Sequence, residues 1–447
     1  MLVEAEGDDN ANKDQDLKVY LPGDKLEKDE QLQVDNSAYH MLHSMNMHWP
    51  SLSFDVIPDT LGEDRSRYPH TMYLFTGSQA ETSNHNDVTV MKLTHLHRTI
   101  NDDREGSDIE DDEGDLDDDP VLESRTMRHE GGVNRVRVNA NRERLWGATW
   151  SDRGKVFIWN LRGIVDALDT PGMTVPAGGT RPVFTVSAHR DEGFAMDWSP
   201  DGAGRLLTGD CSSMIYLTLP KQGGGFVTEA GSNRAFRAHQ SSVEDIQWSP
   251  EEPSVFASCS ADRTVRLWDI RMPQRNRAAL AAEVHKEDVN VISWNRRVRY
   301  LLASGCDDGS FGVWDLRMWS AAASAGGSSN GGVINKPSPV ASFNWNAGPI
   351  TSIEWHPNDD SVLAVSGADD QLTLWDLSVE PDPEQQTNKT QQVIVGADGK
   401  TRKVPPQLLF IHQGQQDIKE LHWHPQIPGV MVSTALSGFN VFKTISV

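Results

Sequence analysis

Over residues 239–271 the chain reads HQSSVEDIQWSPEEPSVFASCSADRTVRLWDIR, apolar residues alternating with polar ones up to a Trp268-Asp269 pair. This is the pattern of one four-stranded propeller blade. Residues 285–317 repeat the order, with Trp314-Asp315 again 29 residues after a histidine. Related units cover 129–160, 189–217, 346–377 and 412–443, and residues 71–77 and 87–93 read as strands of a first blade. Ahead of them, Leu52, Phe54 and Val56 alternate over 51–57, which predicts a strand. Earlier still, Tyr39, Leu42, Met45 and Met47 sit near helical spacing up to Trp49-Pro50, which predicts a short amphipathic α-helix. Seven blades result, and the strand at 51–57 is available to complete the last one from the opposite chain end.

The unit resembles the WD40 repeat, so the expected fold is all-β, a seven-bladed WD40 β-propeller with a short N-terminal α-helix and an acidic inter-blade loop. Residues 1–36 are expected to be an acidic, mostly disordered tail, with ten Asp or Glu against four Lys in the first thirty positions. Residues 37–58 hold the helix and a ring-closing strand, and residues 59–447 the propeller, with insertions at 101–120, 320–339 and 380–407. Fourteen Trp against six Tyr fits a repeat that spends one or two Trp per copy.

Charge narrows the partners. The formal net charge is −24, which opposes direct contact with nucleic acid phosphates or an anionic membrane and favours a basic partner. Residues 102–119 read DDREGSDIEDDEGDLDDD, where Asp102, Asp103, Glu105, Asp108, Glu110, Asp111, Asp112, Glu113, Asp115, Asp117, Asp118 and Asp119 face one Arg104. Twelve carboxylates in eighteen positions cannot be buried, so an exposed client-binding loop is expected. Without it the charge would fall from −24 to −13. Cys211, Cys259 and Cys306 lie in strand-like runs without metal-ligand spacing, as reduced core residues of an intracellular protein would. No run of 18 apolar residues and no basic leader is present, so neither a membrane span nor a secretory signal is expected.

Two segments carry a closer resemblance. The predicted helix followed by Trp49-Pro50-Ser51-Leu52 and a strand resembles the N-terminal signature of histone-binding WD40 proteins and their ribosome-assembly relatives. Pro405-Pro406-Gln407 before Leu408-Leu409-Phe410-Ile411-His412 is similar to the segment that pairs with that helix to form a peptide groove in the same family. The resemblance makes Tyr39, Leu42, Met45, Trp49, Pro405, Pro406 and Leu408 the groove candidates. Met45-Asn46-Met47-His48 stands where histone-binding members carry an acidic residue, a departure from that branch.

Within the repeats, His239, Ser258, Asp262 and Trp268, and again His285, Ser304, Asp308 and Trp314, could suggest a hydrolase triad. A nucleophile is needed once, whereas this set recurs, as expected for a structural hydrogen-bond network. No catalytic residue, cofactor site or metal site is therefore expected. His422 and His424 alternate along a strand and point to opposite faces, and the acidic run lacks the pattern of an EF-hand. Trp268-Asp269-Ile270-Arg271 and Trp314-Asp315-Leu316-Arg317 match a pattern of cullin-ligase substrate receptors, but inside the repeat a Trp-Asp pair is already expected.

Over nearly its whole length the chain resembles the glutamate-rich WD-repeat proteins of ribosome assembly, siblings of the histone-binding subunits. The resemblance implies a non-enzymatic, monomeric chaperone of a basic client, ribosomal protein L3, that meets pre-ribosomal particles indirectly. It implies residence in nucleus and nucleolus, with a cytoplasmic pool for client capture. The alternatives are a histone chaperone binding H3/H4 and a cullin ubiquitin-ligase substrate receptor.

Overall fold

In a computed structural model, which describes residues 2–5, 18–19, 30–99, 119–139, 141, 144–175, 178–231, 234–322, 334–380, 393–395 and 401–447, seven four-stranded antiparallel sheets form the propeller. Blade four is typical. Its strands Val243–Trp248, Val255–Ser260, Thr264–Asp269 and Leu280–Glu283 pair in sequence order from the channel outwards. Each inner strand hides alternate residues, and its buried side chains pack against the neighbouring sheet. One apolar cluster thus joins Val265 and Leu267 of blade four to Ile292 and Trp314 of blade five. No blade could bury its faces alone, so the ring must close to be stable.

Closure differs from the sequence expectation. The segment taken as a helix is a single 3-10 turn, Asn36–Ala38, followed by the strand Tyr39–Met45. That strand pairs antiparallel with Gly438–Thr444 and is the outer strand of blade seven. Phe54–Ile57, expected to complete the last blade, is instead the inner strand of blade one, beside His70–Gly77. Tyr39 and Met41 are buried while His40 is exposed, which is the period of a strand. A seven-residue apolar run supports both periods, and the unpaired edge of Gly438–Thr444 decided between them.

Two elements went unread in the sequence. Arg162–Asp169 is an α-helix that buries Ile164, Val165, Ala167 and Leu168 on the seam of blades one and two. It is anchored through Asp169, which accepts from the Tyr73 hydroxyl at 2.5 Å and pairs with Lys92 at 2.9 Å. In the tail, expected to lack order, Leu2–Ala5 pairs with Lys18–Val19 and with Glu30–Gln33. The hairpin Val393–Val395 with Thr401–Lys403 lies in the 380–407 insertion.

Strand polarity places the connections. Within each antiparallel blade, the link from first to second strand and the link from third to fourth emerge at the same end. The acidic run, the helix Arg162–Asp169 and the insertions at 320–339 and 380–407 all lie in third-to-fourth links. They therefore belong to one face of the propeller, the face of the Trp-Ser-Pro and Trp-His-Pro turns.

Candidate functional site

The repeat histidines stand at the opposite face and end in buried networks. His239 Nε2 lies 2.7 Å from Ser258 Oγ, which also accepts from Trp268 Nε1 at 2.8 Å, and His239 Nδ1 lies 3.0 Å from Asp262. In blade five Ser304 takes His285 at 2.7 Å and Trp314 at 2.8 Å. There Asp308 turns instead to Ser310, accepting from its amide at 2.9 Å. Blades two and three use Thr149 and Thr208 in place of the serine. In blade six Asn346 donates to Asp369 at 3.0 Å. Burial keeps the pKa values of His129, His189, His239 and His285 below the ordinary histidine value. These groups are enclosed on every side, with no room beside Ser258 or Ser304 for a reacting carbon.

The groove candidates fall in separate places. Tyr39 is buried, its hydroxyl 2.8 Å from His412 Nδ1 and its ring edge-on to Phe410 at 5.4 Å. Leu42 packs with them on the seam of blades six and seven. Met45 lies on the other side of its strand, against the blade-one core. Trp49 is half-buried and edge-on to His48. Pro405 closes a tight turn by accepting from the Leu408 amide at 3.1 Å, Pro406 is exposed, and Leu408 packs on the blade-six core. With no helix to form one wall, these residues do not line a single groove.

The acidic run lies outside the described residues except for Asp119, which is exposed. Its two attachment points are clear. Thr99 donates its amide to His40 O at 3.0 Å and receives the Leu42 amide on Oγ1 at 2.8 Å, capping the edge of the strand Tyr39–Met45. On return the chain forms Val121–Arg128, the exposed outer strand of blade one, where Val121 and Leu122 face solvent. The run is thereby rooted at the seam of blades seven and one.

A feature that the repeat pattern did not announce is the central channel. Inner strands of all seven blades line a cavity of about 530 Å³ that lies toward the Trp-Ser-Pro turns. Around it a side chain of one blade bonds the inner strand of the next. Val138 N donates to Asp55 at 2.7 Å, Trp248 N to Asp197 at 2.7 Å, and Ile292 N to Asp245 at 3.1 Å. Trp355 N donates to Ser293, Trp423 N to Glu354, and Phe54 N to Glu420, which closes the circle. The turn tryptophans add a second tie: indole N–H groups of Trp198, Trp248, Trp355 and Trp423 each donate to a carbonyl of the preceding blade. Only the alternation of polar residues before each Trp hinted at this in the sequence.

The channel charges are unequal. Glu420 pairs with Arg135 at 2.7 Å and Arg137 at 2.9 Å, and Glu354 pairs with His422 at 2.9 Å. Burial would raise Glu420, but Arg137 and Arg135 override it and hold the carboxyl well below its usual range. Burial would likewise lower His422, yet Glu354 and Glu420 hold it at about 10, protonated at neutral pH. Asp55, Asp197 and Asp245 have backbone N–H partners but, among the described residues, no bonded cation. Burial pushes all three upward, Asp197 to about 7. Among the described residues no three side chains gather as metal ligands, and no helix is long and apolar enough to cross a membrane.

Comparisons with known proteins agree with this architecture. Residues 231–269, 280–315 and 337–376 match the WD domain, G-beta repeat model. Residues 29–97 match the family described as histone-binding protein RBBP4 or a component of the CAF1 complex. The chain is 47% identical to ribosome assembly protein rrb1 of Schizosaccharomyces pombe, covering 99% of this chain and 90% of that one. It is 48% identical to glutamate-rich WD repeat-containing protein 1 of Dictyostelium discoideum, over 96% of this chain and 85% of that one. To histone acetyltransferase type B subunit 2 of Aspergillus oryzae it is 29% identical, over 55% of this chain and 56% of that one. With a seven-bladed frame and near full-length identity of this order, the chain belongs to the glutamate-rich WD-repeat family of ribosome-assembly proteins.

Proposed function

We propose that this protein is a non-enzymatic assembly factor of large ribosomal subunit biogenesis that holds a basic client until it joins pre-ribosomal particles. The observation that carries the reading is identity near one half over almost the full chain to a protein named for ribosome assembly, in a molecule of net charge −24. Within this reading the client is ribosomal protein L3, as the family resemblance implies. The carboxylates of residues 102–119 raise the capture rate and screen the client's positive charge from stray RNA. The protein works as a monomer, in nucleus and nucleolus with a cytoplasmic pool, which imaging of a tagged chain tests. Affinity recovery of the full-length protein followed by mass spectrometry tests the client: one ribosomal protein is expected, and its absence would overturn the assignment.

A second reading, a chaperone or chromatin subunit binding H3/H4, is favoured by the match of residues 29–97 to the histone-binding family. Recovery of H3 with H4 in that experiment would establish it. The ligase-receptor reading gains little from Arg271 and Arg317. Each is drawn back onto its own strand by Asp269 and Asp315, at 2.7 and 2.6 Å, and Arg317 also lies 3.5 Å over the Tyr300 ring.

A further inference from the structure

The two faces of the propeller are chemically distinct. At one, the links into each inner strand are short and the repeat histidines are sealed. At the other the central cavity approaches the surface among Pro58, Pro200, Pro250, Pro357 and Pro425. The long links of blades one, two, five and six emerge on that same face.

The cavity carries a charge its own residues do not balance. Asp55, Glu63, Asp197, Asp245 and Glu354 line it, with Glu420 bonded to its arginines. They face Arg135, Arg137, Arg296 and the protonated His422, a surplus of two negative charges. Ion pairing consumes Glu420 and Glu354. Asp197 and Asp245 stand on neighbouring inner strands, satisfied only by backbone N–H groups that leave carboxylate lone pairs available. In so enclosed a space a surplus charge is costly unless a counter-charge enters. The width suits a long, thin side chain whose stem lies along the edges of Trp198, Trp248 and Trp294 while its head reaches the carboxylates.

We propose that the channel mouth on the Trp-Ser-Pro face is the docking point for an extended basic segment of a protein client, with one Arg or Lys side chain inserted between Asp197 and Asp245. This rests on the basic-client reading and adds to it a face and a pair of receptor carboxylates. The mouth is separate from residues 102–119 and binds without them.

The test uses a fluorescein-labelled (Gly-Arg)4 peptide, read by anisotropy, with the full chain and with a chain lacking residues 102–119. In the shortened chain, the double substitution Asp197→Asn and Asp245→Asn is expected to weaken binding at least tenfold. Each asparagine can still accept from its backbone N–H, and an unchanged melting temperature verifies the fold. On the opposite face, Asp191→Asn with Asp288→Asn is expected to change affinity less than twofold. Failure of the full chain to bind the peptide would defeat the basic-client reading. If the full chain binds, the channel assignment alone falls in three cases: the shortened chain does not bind, its affinity survives the Asp197 and Asp245 changes, or the opposite-face pair weakens it equally.

Discussion

At the residue scale, two kinds of buried polar group hold the ring and make opposite pH predictions. His129, His189, His239 and His285 are kept neutral by burial, whereas in the unfolded chain they protonate below about pH 6.5. The unfolded state then binds more protons, so stability should fall as pH drops from about 7 toward 5, measurable as a lowered melting temperature. His422 is raised to about 10, so its contribution is complete below pH 6.5 and is lost as pH climbs through 10. Ser258→Ala should cost about 2 to 3 kcal/mol in denaturant unfolding, because His239 and Trp268 both lose their partner. Glu420→Gln leaves two buried guanidinium groups without a counter-charge and should cost about 3 to 5 kcal/mol. The histidine and tryptophan positions were legible from their repetition. Arg135, Arg137 and Glu420 were not, since 285 residues of sequence separate Arg135 from the carboxylate it bonds.

Among the elements, the strand Tyr39–Met45 has the largest consequence. It supplies the fourth strand of blade seven, and its Tyr39 fills the space between His412, Phe410 and Phe442. Removing residues 1–35 should leave the melting temperature nearly unchanged, while removing residues 1–45 should abolish the cooperative transition seen by calorimetry, since blade seven would present a bare edge. Tyr39→Phe, which keeps the ring and loses the bond to His412, should cost about 1 kcal/mol. The repeat strands were readable because alternation and a terminal Trp-Asp mark them. The closing strand was not, because its pairing partner lies almost 400 residues away and nothing local distinguishes its period from a helical one.

On the scale of the whole molecule, the question is how charge is distributed over a rigid ring. Deleting residues 102–119 should slow capture of a basic client and flatten the salt dependence of the association rate in stopped-flow measurements, because about half of the net charge goes with it. The run is rooted by Thr99 and Val121 on the face where the channel carries its surplus of negative charge. Long-range attraction and a local receptor would then work on the same side of the molecule. Composition showed the total charge, but not that strand polarity would gather the long links on one face.

By itself the sequence determined the number of blades, the buried networks that recur in them, and the position and sign of the acidic run, since each is written in contiguous residues and repeated or concentrated. Which chain segment closes the ring, where the groove residues come to rest, and that seven inner strands enclose an unbalanced channel were decided only in three dimensions. Those features depend on pairings between residues on different blades, and a propeller sets its inter-blade contacts by closing the ring, not by any local pattern along the chain.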